Sequence, residues 1–189
     1  MKTTLTASLL LFTISCGGSG GGSTQDQIYD TGQNCPIKNL PASVAVLADD
    51  DSLKKIVSEA VEVWNDEIGV EILAYVEDVD DSQITVEFVD DFSDGFSVGQ
   101  TSWRCLTESD RETGQIIDYY KTSADVFIHA GLNVEYQPFT IAHEFGHALG
   151  MDHTSFGIMQ ANLEEEFLEI GYEFMVFEML DYFNKIYPN

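Results

Sequence analysis

The sequence predicts an α+β fold: a twisted, mostly parallel sheet packed by two helices, with a further helix at the C-terminus. Patterns typical of a strand, a helix, several strands and two helices follow one another along the chain, an order that favours parallel strands joined by crossovers. The chain has 189 residues, of which 44% are hydrophobic, enough for one well-buried core. We therefore expect a single folded domain over residues 35–189.

The first predicted elements are a strand and a long helix. Pro41 precedes the apolar run SVAVL at 43–47, which indicates a strand. The acidic run 49–51 offers N-cap oxygens to the helix that follows, and Gly69 can end that helix. Apolar residues recur on one face of this helix: Leu53, Ile56, Val57, Ala60 and Trp64.

The middle of the chain predicts several strands. Segments 69–77 and 82–90 are rich in β-forming residues and alternate between apolar and polar. Residues 90–122 contain glycines among many polar residues, which predicts a short strand near 100–105 followed by a long loop or hairpin. The apolar run at 124–130 predicts one more strand.

Two helices complete the predicted fold. Residues 139–150 have the apolar spacing of a helix that ends at a glycine. A last helix is expected over much of 162–186, where apolar residues including Phe167, Ile170 and Phe174 form a stripe.

The N-terminus predicts export. Residues 1–15 have a positive start at Lys2 and an uncharged stretch too short to span a bilayer permanently. Together with Cys16 they resemble a bacterial lipoprotein signal peptide, which implies that Cys16 becomes the lipidated first residue, although Thr13 stands where such signals usually have Leu. The alternative is simple secretion. Residues 16–34 are then the anchor cysteine and a flexible, Gly-rich linker.

The remaining two cysteines predict a disulfide. If Cys16 carries lipid, Cys35 and Cys105 are left as an even pair in an oxidising compartment. This bond would connect the start of the domain to its middle.

The charge excludes one class of partner. Lys and Arg number 8 and Asp and Glu 33, so the formal net charge is −25. Such a surface repels phosphate backbones, so we expect no binding to nucleic acid. The acidity indicates either a solvated surface or attraction of basic substrates. We expect a monomer.

One short run contains the residues that could bind a metal and act as a base. Residues 142–153 read AHEFGHALGMDH and hold three of the four histidines. In a helix, His143 and His147 project from the same face, close enough to share a metal ion, and Gly150 can turn the chain so that His153 returns to it. Three neutral imidazoles leave a fourth zinc position for water, whose pKa falls toward about 7. Glu144 can then take the proton of that water as it attacks a peptide carbonyl.

This run resembles the H-E-x-x-H-x-x-G-x-x-H signature of the metzincin zinc peptidases. The resemblance implies a zincin-like fold, an active-site helix, one catalytic Zn²⁺ held by the three histidines, and Glu144 as general base. It also implies that Met159 forms a structural methionine turn beneath the metal. Thr154 is closest to the serine that matrixins have at this position, whereas Gln160 departs from the tyrosine of several branches.

Three further residue sets leave alternatives open. His129 is expected to be structural rather than a second metal ligand. The acidic clusters with Asp90, Asp91 and Asp94 are either a calcium site or a solvated loop. Before the domain, Asp30 or Cys35 could cover the zinc and confer latency, or the segment is a plain linker.

These observations predict an exported, lipid-anchored zinc endopeptidase that cleaves protein or peptide substrates laid along an edge strand near residues 100–105. It would be attached through Cys16 to a bacterial membrane or cell surface, or otherwise secreted. The alternative is a non-catalytic anchored binding module that retains the zinc-peptidase fold. An exopeptidase would need a group that holds a substrate terminus, and the sequence identifies none.

Overall fold

The computed structural model describes residues 35–93, 95, 97–109, 113, 116–154, 157–160, 180, 183–185 and 187. The predicted signal peptide, Cys16, the linker and Asp30 lie outside these residues. So does most of the helix predicted over 162–186, within which residues 183–185 are helical.

The predicted α+β class, with a mostly parallel sheet, is confirmed. Five strands form one sheet in the order β2-β1-β3-β5-β4. β1 pairs in parallel with β2 and β3, β3 pairs in parallel with β5, and β4 is antiparallel to β5 at the sheet edge. With its helices this sheet is consistent with a zincin-like fold. The elements are β1 (Ala42–Val46), α1 (Asp51–Ile68), β2 (Leu73–Tyr75), β3 (Ile84–Val89), β4 (Gly99–Ser109), β5 (Ile116–His129) and α2 (Gln137–Leu149).

Local signals set the two ends of α1. The side chain of Asp50 accepts hydrogen bonds from the backbone N–H groups of Ser52 and Leu53, and Gly69 ends the helix at φ 77°. The buried face includes Trp64, whose Nε1 donates to the Ala142 carbonyl in α2 at 2.7 Å. α1 therefore holds α2 at the residue that precedes His143.

Helix α2 lies inside the domain. It contacts α1 as well as β4 and β5, and every residue from 140 to 149 is buried. Alternate residues of the central strands, among them Val44, Ile84 and Val126, are fully buried and belong to the same core as Phe145. A helix buried on all sides fixes the side chains it carries, because neighbouring elements restrict their rotamers.

β4 and β5 form a hairpin, one of the two alternatives predicted after residue 105. β4 is longer than the predicted 100–105, because pairing continues through Leu106 with Tyr120 and Glu108 with Asp118. β2 is shorter than the predicted 69–77. At its start, Asn65 Oδ1 accepts hydrogen bonds from the backbone N–H groups of Leu73 and of Ile72, the residue before the strand.

A disulfide joins Cys35 to Cys105 on β4, as predicted. The expectation that Cys35 could cover a metal is therefore not met, because its sulfur is bonded to another cysteine. The neighbouring segment also pairs with β5: Lys38 N–H donates to the Lys121 carbonyl at 2.9 Å, and Lys121 N–H donates to the Pro36 carbonyl at 2.8 Å. The disulfide indicates an exported protein. Among the described residues, no helix combines the length and apolar character needed to cross a bilayer.

Candidate metal centre

Helix α2 and the turn after it bring three histidines together. The ring centroids of His143 and His147, one helical turn apart, are separated by 4.8 Å. Gly150 ends α2 at φ 107° and turns the chain, and the His153 ring returns to 4.8 Å from the His147 ring and 5.3 Å from the His143 ring. One ligand atom from each ring lies within 4.8 Å of the others, so this cluster could hold a metal ion.

Two backbone carbonyls set the tautomers of the helical histidines. His143 Nδ1 lies 2.5 Å from the Ile158 carbonyl oxygen, and His147 Nδ1 lies 2.7 Å from the Met151 carbonyl oxygen. A carbonyl only accepts hydrogen bonds, so each Nδ1 carries the hydrogen and each Nε2 is the unprotonated nitrogen of its ring.

The spacing of the Nε2 atoms fits a cation. His147 Nε2 lies 3.2 Å from His143 Nε2 and 3.3 Å from His153 Nε2. The Nε2 lone pairs of His143 and His147 repel each other at this distance unless a positive charge lies between them. Ligand nitrogens about 2.0–2.1 Å from a tetrahedral zinc ion would be about 3.3 Å apart, so the residues present fit this metal.

Burial keeps these imidazoles in the state that a metal requires. It lowers the pKa of His143 to about 3 and that of His147 to about 4, and it also lowers the pKa of His153. All three rings are therefore neutral near pH 7, as metal ligands must be.

Glu144 places a carboxyl group beside this cluster. Its side chain is fully buried, and Oε2 accepts a hydrogen bond from the Thr101 hydroxyl at 2.5 Å. Oε1 has no hydrogen-bond partner among the described residues. Burial raises the pKa of Glu144 to about 8, against the opposing effect of the Thr101 hydrogen bond. A buried carboxyl oxygen without a partner destabilises a fold, which makes it a candidate for function.

This burial predicts that Glu144→Gln stabilises the metal-free protein increasingly as pH rises. The unfolded carboxyl ionises above its ordinary pKa of 4.5, whereas the folded group stays protonated to about 8, so the wild type loses stability between these values. Gln does not titrate. Thermal unfolding of both proteins at about pH 5 and about pH 8 should show the melting-temperature advantage of Glu144→Gln growing with pH. An equal difference at both pH values would contradict a raised pKa at Glu144.

Met159 lies beneath the histidine helix. Only 2% of its side chain is exposed, and its sulfur occupies the space where a Cβ on Gly146 would stand. Its carbonyl accepts the N–H of Thr154, which closes the turn after His153. Gln160, paired with Thr154 in an isolated bridge, has a buried Oε1 without a partner among the described residues.

We predict that Gly150→Ala destabilises the domain strongly. Alanine would be strained at φ 107°, and its Cβ would lie 2.9 Å from both the Cys35 carbonyl oxygen and Pro36 Cα. Backbone strain together with a clash against backbone atoms should cost about 2–4 kcal/mol in unfolding free energy, measured by chemical denaturation. Gly69→Ala is the matched control, because Gly69 has φ 77° but open space around it, so about 1–2 kcal/mol is expected. Equal losses of unfolding free energy in Gly150→Ala and Gly69→Ala would show that the clash with Cys35 and Pro36 does not contribute to the effect.

Lys121 and Thr101 are site residues that sequence analysis missed. Lys121 is fully buried; its Nζ donates to the His147 carbonyl at 2.7 Å and lies 4.8 Å from the centroid of the Trp103 ring. A cation suits the C-terminal end of α2, although burial lowers the pKa of Lys121 to about 7.

Residues 124, 126 and 128 face inward, so strict alternation would turn Lys121 outward. The register between β4 and β5 shifts between Trp103 and Cys105, and this irregularity lets the Lys121 side chain face inward.

The other predicted ligands lie apart from the cluster. His129 ends β5, and its Nδ1 accepts the Gly131 N–H at 2.9 Å, as a structural histidine would. Asp90 and Asp91 are exposed, and in the described part of the chain neither belongs to a group that could hold a metal. Asp94 lies outside the described residues.

The fold and site together define a mixed sheet that carries a candidate three-histidine metal centre on a buried helix. No protein-family model matches the sequence, and no curated protein matches it. Two solved structures of myroilysin are similar to 62% of this chain, at 20% and 17% identity, each with a TM-score of 0.37. The matched region covers 46% and 44% of those myroilysin chains, so this chain spans less than half of their length.

Proposed function

We propose that this protein is an exported zinc-dependent endopeptidase of the metzincin type. One observation carries the proposal: the Nε2 atoms of His143 and His153 lie 3.2 and 3.3 Å from that of His147, beside a buried Glu144 whose Oε1 has no partner among the described residues. The histidines are a ligand set for a divalent ion, and Glu144 is a base next to it.

Each residue then has a defined task. His143, His147 and His153 would hold zinc, which when bound would polarise a peptide carbonyl and lower the pKa of water. The positive charge of bound zinc would lower the pKa of Glu144 from the value of about 8 that it has without metal, so that Oε1 is ionised. Oε1 would then accept a proton from the attacking water and pass it to the amide nitrogen as the peptide C–N bond breaks. The Ile158 and Met151 carbonyls keep two of the imidazoles in the required tautomer.

The substrate would bind along β4. This strand lies at the sheet edge, so its outer backbone groups can pair with an extended peptide. This pairing uses the backbone of the peptide and not its side chains or termini, so it favours cleavage at internal bonds. We further propose attachment through a lipid on Cys16, an N-terminal linker as tether, and a monomeric enzyme.

Digestion of a peptide library tests this function. The mature domain would be assayed loaded with zinc, stripped with a chelator, and then restored with zinc. Cleavage is expected in the first and third samples only, with products cut at internal bonds. Mass spectrometry of the fragments would also define the preferred residues on each side of the cut.

The same assay separates the enzyme from the binding-module alternative. A domain that binds zinc tightly and captures peptides but cuts none would be a non-catalytic module that retains this fold. Cleavage that persists in the stripped sample would exclude zinc-dependent chemistry.

A further inference from the structure

Two residues of the edge strand surround the carboxylate of Glu144. Gly99 and Thr101 are two positions apart in β4, so both face the same side of the sheet, and both are buried. Strand β4 contacts α2, which carries Glu144. The predicted chemistry of the histidine run assigns no role to either residue.

Thr101 binds one oxygen of the carboxylate. Its Oγ1 lies 2.5 Å from Glu144 Oε2 and 3.1 Å from the Glu144 backbone carbonyl oxygen, and the side chain is fully buried. A hydroxyl bonded to a carboxylate in a low-dielectric interior forms a short, strong hydrogen bond. This bond fixes the rotation of the carboxylate and leaves Oε1 as the oxygen without a partner among the described residues.

Gly99 leaves room for the other oxygen. A Cβ at this position would lie 2.7 Å from Glu144 Oε1 and 2.8 Å from Thr140 Cγ2. Gly99 is not among the described glycines with positive φ, so its backbone conformation does not demand glycine. The missing side chain is therefore needed for space: any larger residue would displace the carboxylate or α2.

We propose that Gly99 and Thr101 are positioning residues for the general base, Thr101 by holding Glu144 Oε2 and Gly99 by leaving Oε1 free to accept the proton. This inference rests on the proposed function. It gives β4 a second role beside peptide binding, since the strand that would hold the substrate also sets where the base stands.

Substitutions at Thr101 separate the hydroxyl from the side-chain shape. Thr101→Val keeps the branched shape that suits a strand, and loss of a hydrogen bond to a charged group should lower kcat about 10–100-fold. KM should stay within about twofold, and Thr101→Ser, which keeps the hydroxyl, should hold kcat within about threefold. The exposed Thr122→Val on β5 is the matched control and should behave as wild type.

Two readouts separate positioning from general loss of structure. Because the Thr101 hydroxyl holds Oε2, the Glu144 carboxylate should be rotated from its wild-type position in a crystal structure of Thr101→Val. Zinc affinity, measured by chelator competition, should stay within about twofold because His143 and His147 keep their carbonyl partners. Gly99→Ala retains the Thr101 hydroxyl and should still lower kcat about tenfold or more. This variant tests the inference if Thr101→Val does not fold.

The outcomes distinguish this inference from the proposed function. Wild-type kcat in folded Thr101→Val or in Gly99→Ala would overturn the positioning role while the peptidase assignment stands. If the zinc-loaded wild type cuts no peptide, the peptidase assignment fails instead. The crystal structures then decide: a Glu144 carboxylate rotated away from its wild-type position in Thr101→Val supports the hydroxyl contact, and an unchanged rotation rejects it.

Discussion

Glu144→Gln is expected to abolish peptide hydrolysis while zinc binding persists. Glu144 is buried beside the three histidines, its Oε1 has no partner among the described residues, and it is the base in the proposed mechanism. Gln has nearly the same shape and can still receive the Thr101 hydrogen bond through its oxygen, but it cannot take up a proton at neutral pH. Loss of general-base catalysis should lower kcat about 10²–10⁴-fold, measured on an internally quenched peptide.

A matched substitution makes this result specific to the site. Glu135→Gln changes an exposed residue just before α2 by the same chemistry and should leave kcat within about twofold. Zinc content of the Glu144→Gln protein, determined after gel filtration, should equal that of the wild type. If the variant retains zinc and cuts peptides at the wild-type rate, Glu144 is not the base and another group must supply the proton transfer.

His147→Ala is expected to lower zinc affinity about 10³-fold, since each ligand contributes several kcal/mol of the binding free energy of a protein zinc site. The Nε2 of His147 lies 3.2 and 3.3 Å from those of the other two histidines, so its removal opens the centre of the cluster. Competition against a chromophoric chelator measures the change, and peptide hydrolysis should disappear at limiting zinc.

The fourth histidine provides the control for this experiment. His129→Asn retains an acceptor for the Gly131 N–H through the Asn Oδ1 and lies outside the cluster, so zinc affinity should stay within about twofold. Equal affinities of the His147→Ala protein and the wild type would show that zinc binds elsewhere. A matching loss in His129→Asn would place the ion nearer to the end of β5.

Elements with local signals could be predicted from the sequence. The Asp50 cap, the spacing of Val57, Ala60 and Trp64, and the Gly69 terminus all lie within α1 or next to it, so α1 was predicted almost to the residue. After residue 105 the sequence left a long loop or a hairpin open, and it did not give the length or register of the β4–β5 hairpin. Strand pairing depends on the partner strand, and no local pattern shows which residue of the other strand each residue will face.

Some features of the candidate site could likewise be predicted from the sequence, and others depended on the tertiary structure. By itself the sequence determined the relative placement of His143, Glu144 and His147, because hydrogen bonds between neighbouring turns of a helix set that spacing whatever surrounds it. Only the tertiary structure decided which oxygen of Glu144 is held and which is left without a partner, because Gly99 and Thr101 come from β4 on another side of α2. It also brought the buried amino group of Lys121 to the helix end, through contacts between residues distant in the chain that no local spacing encodes.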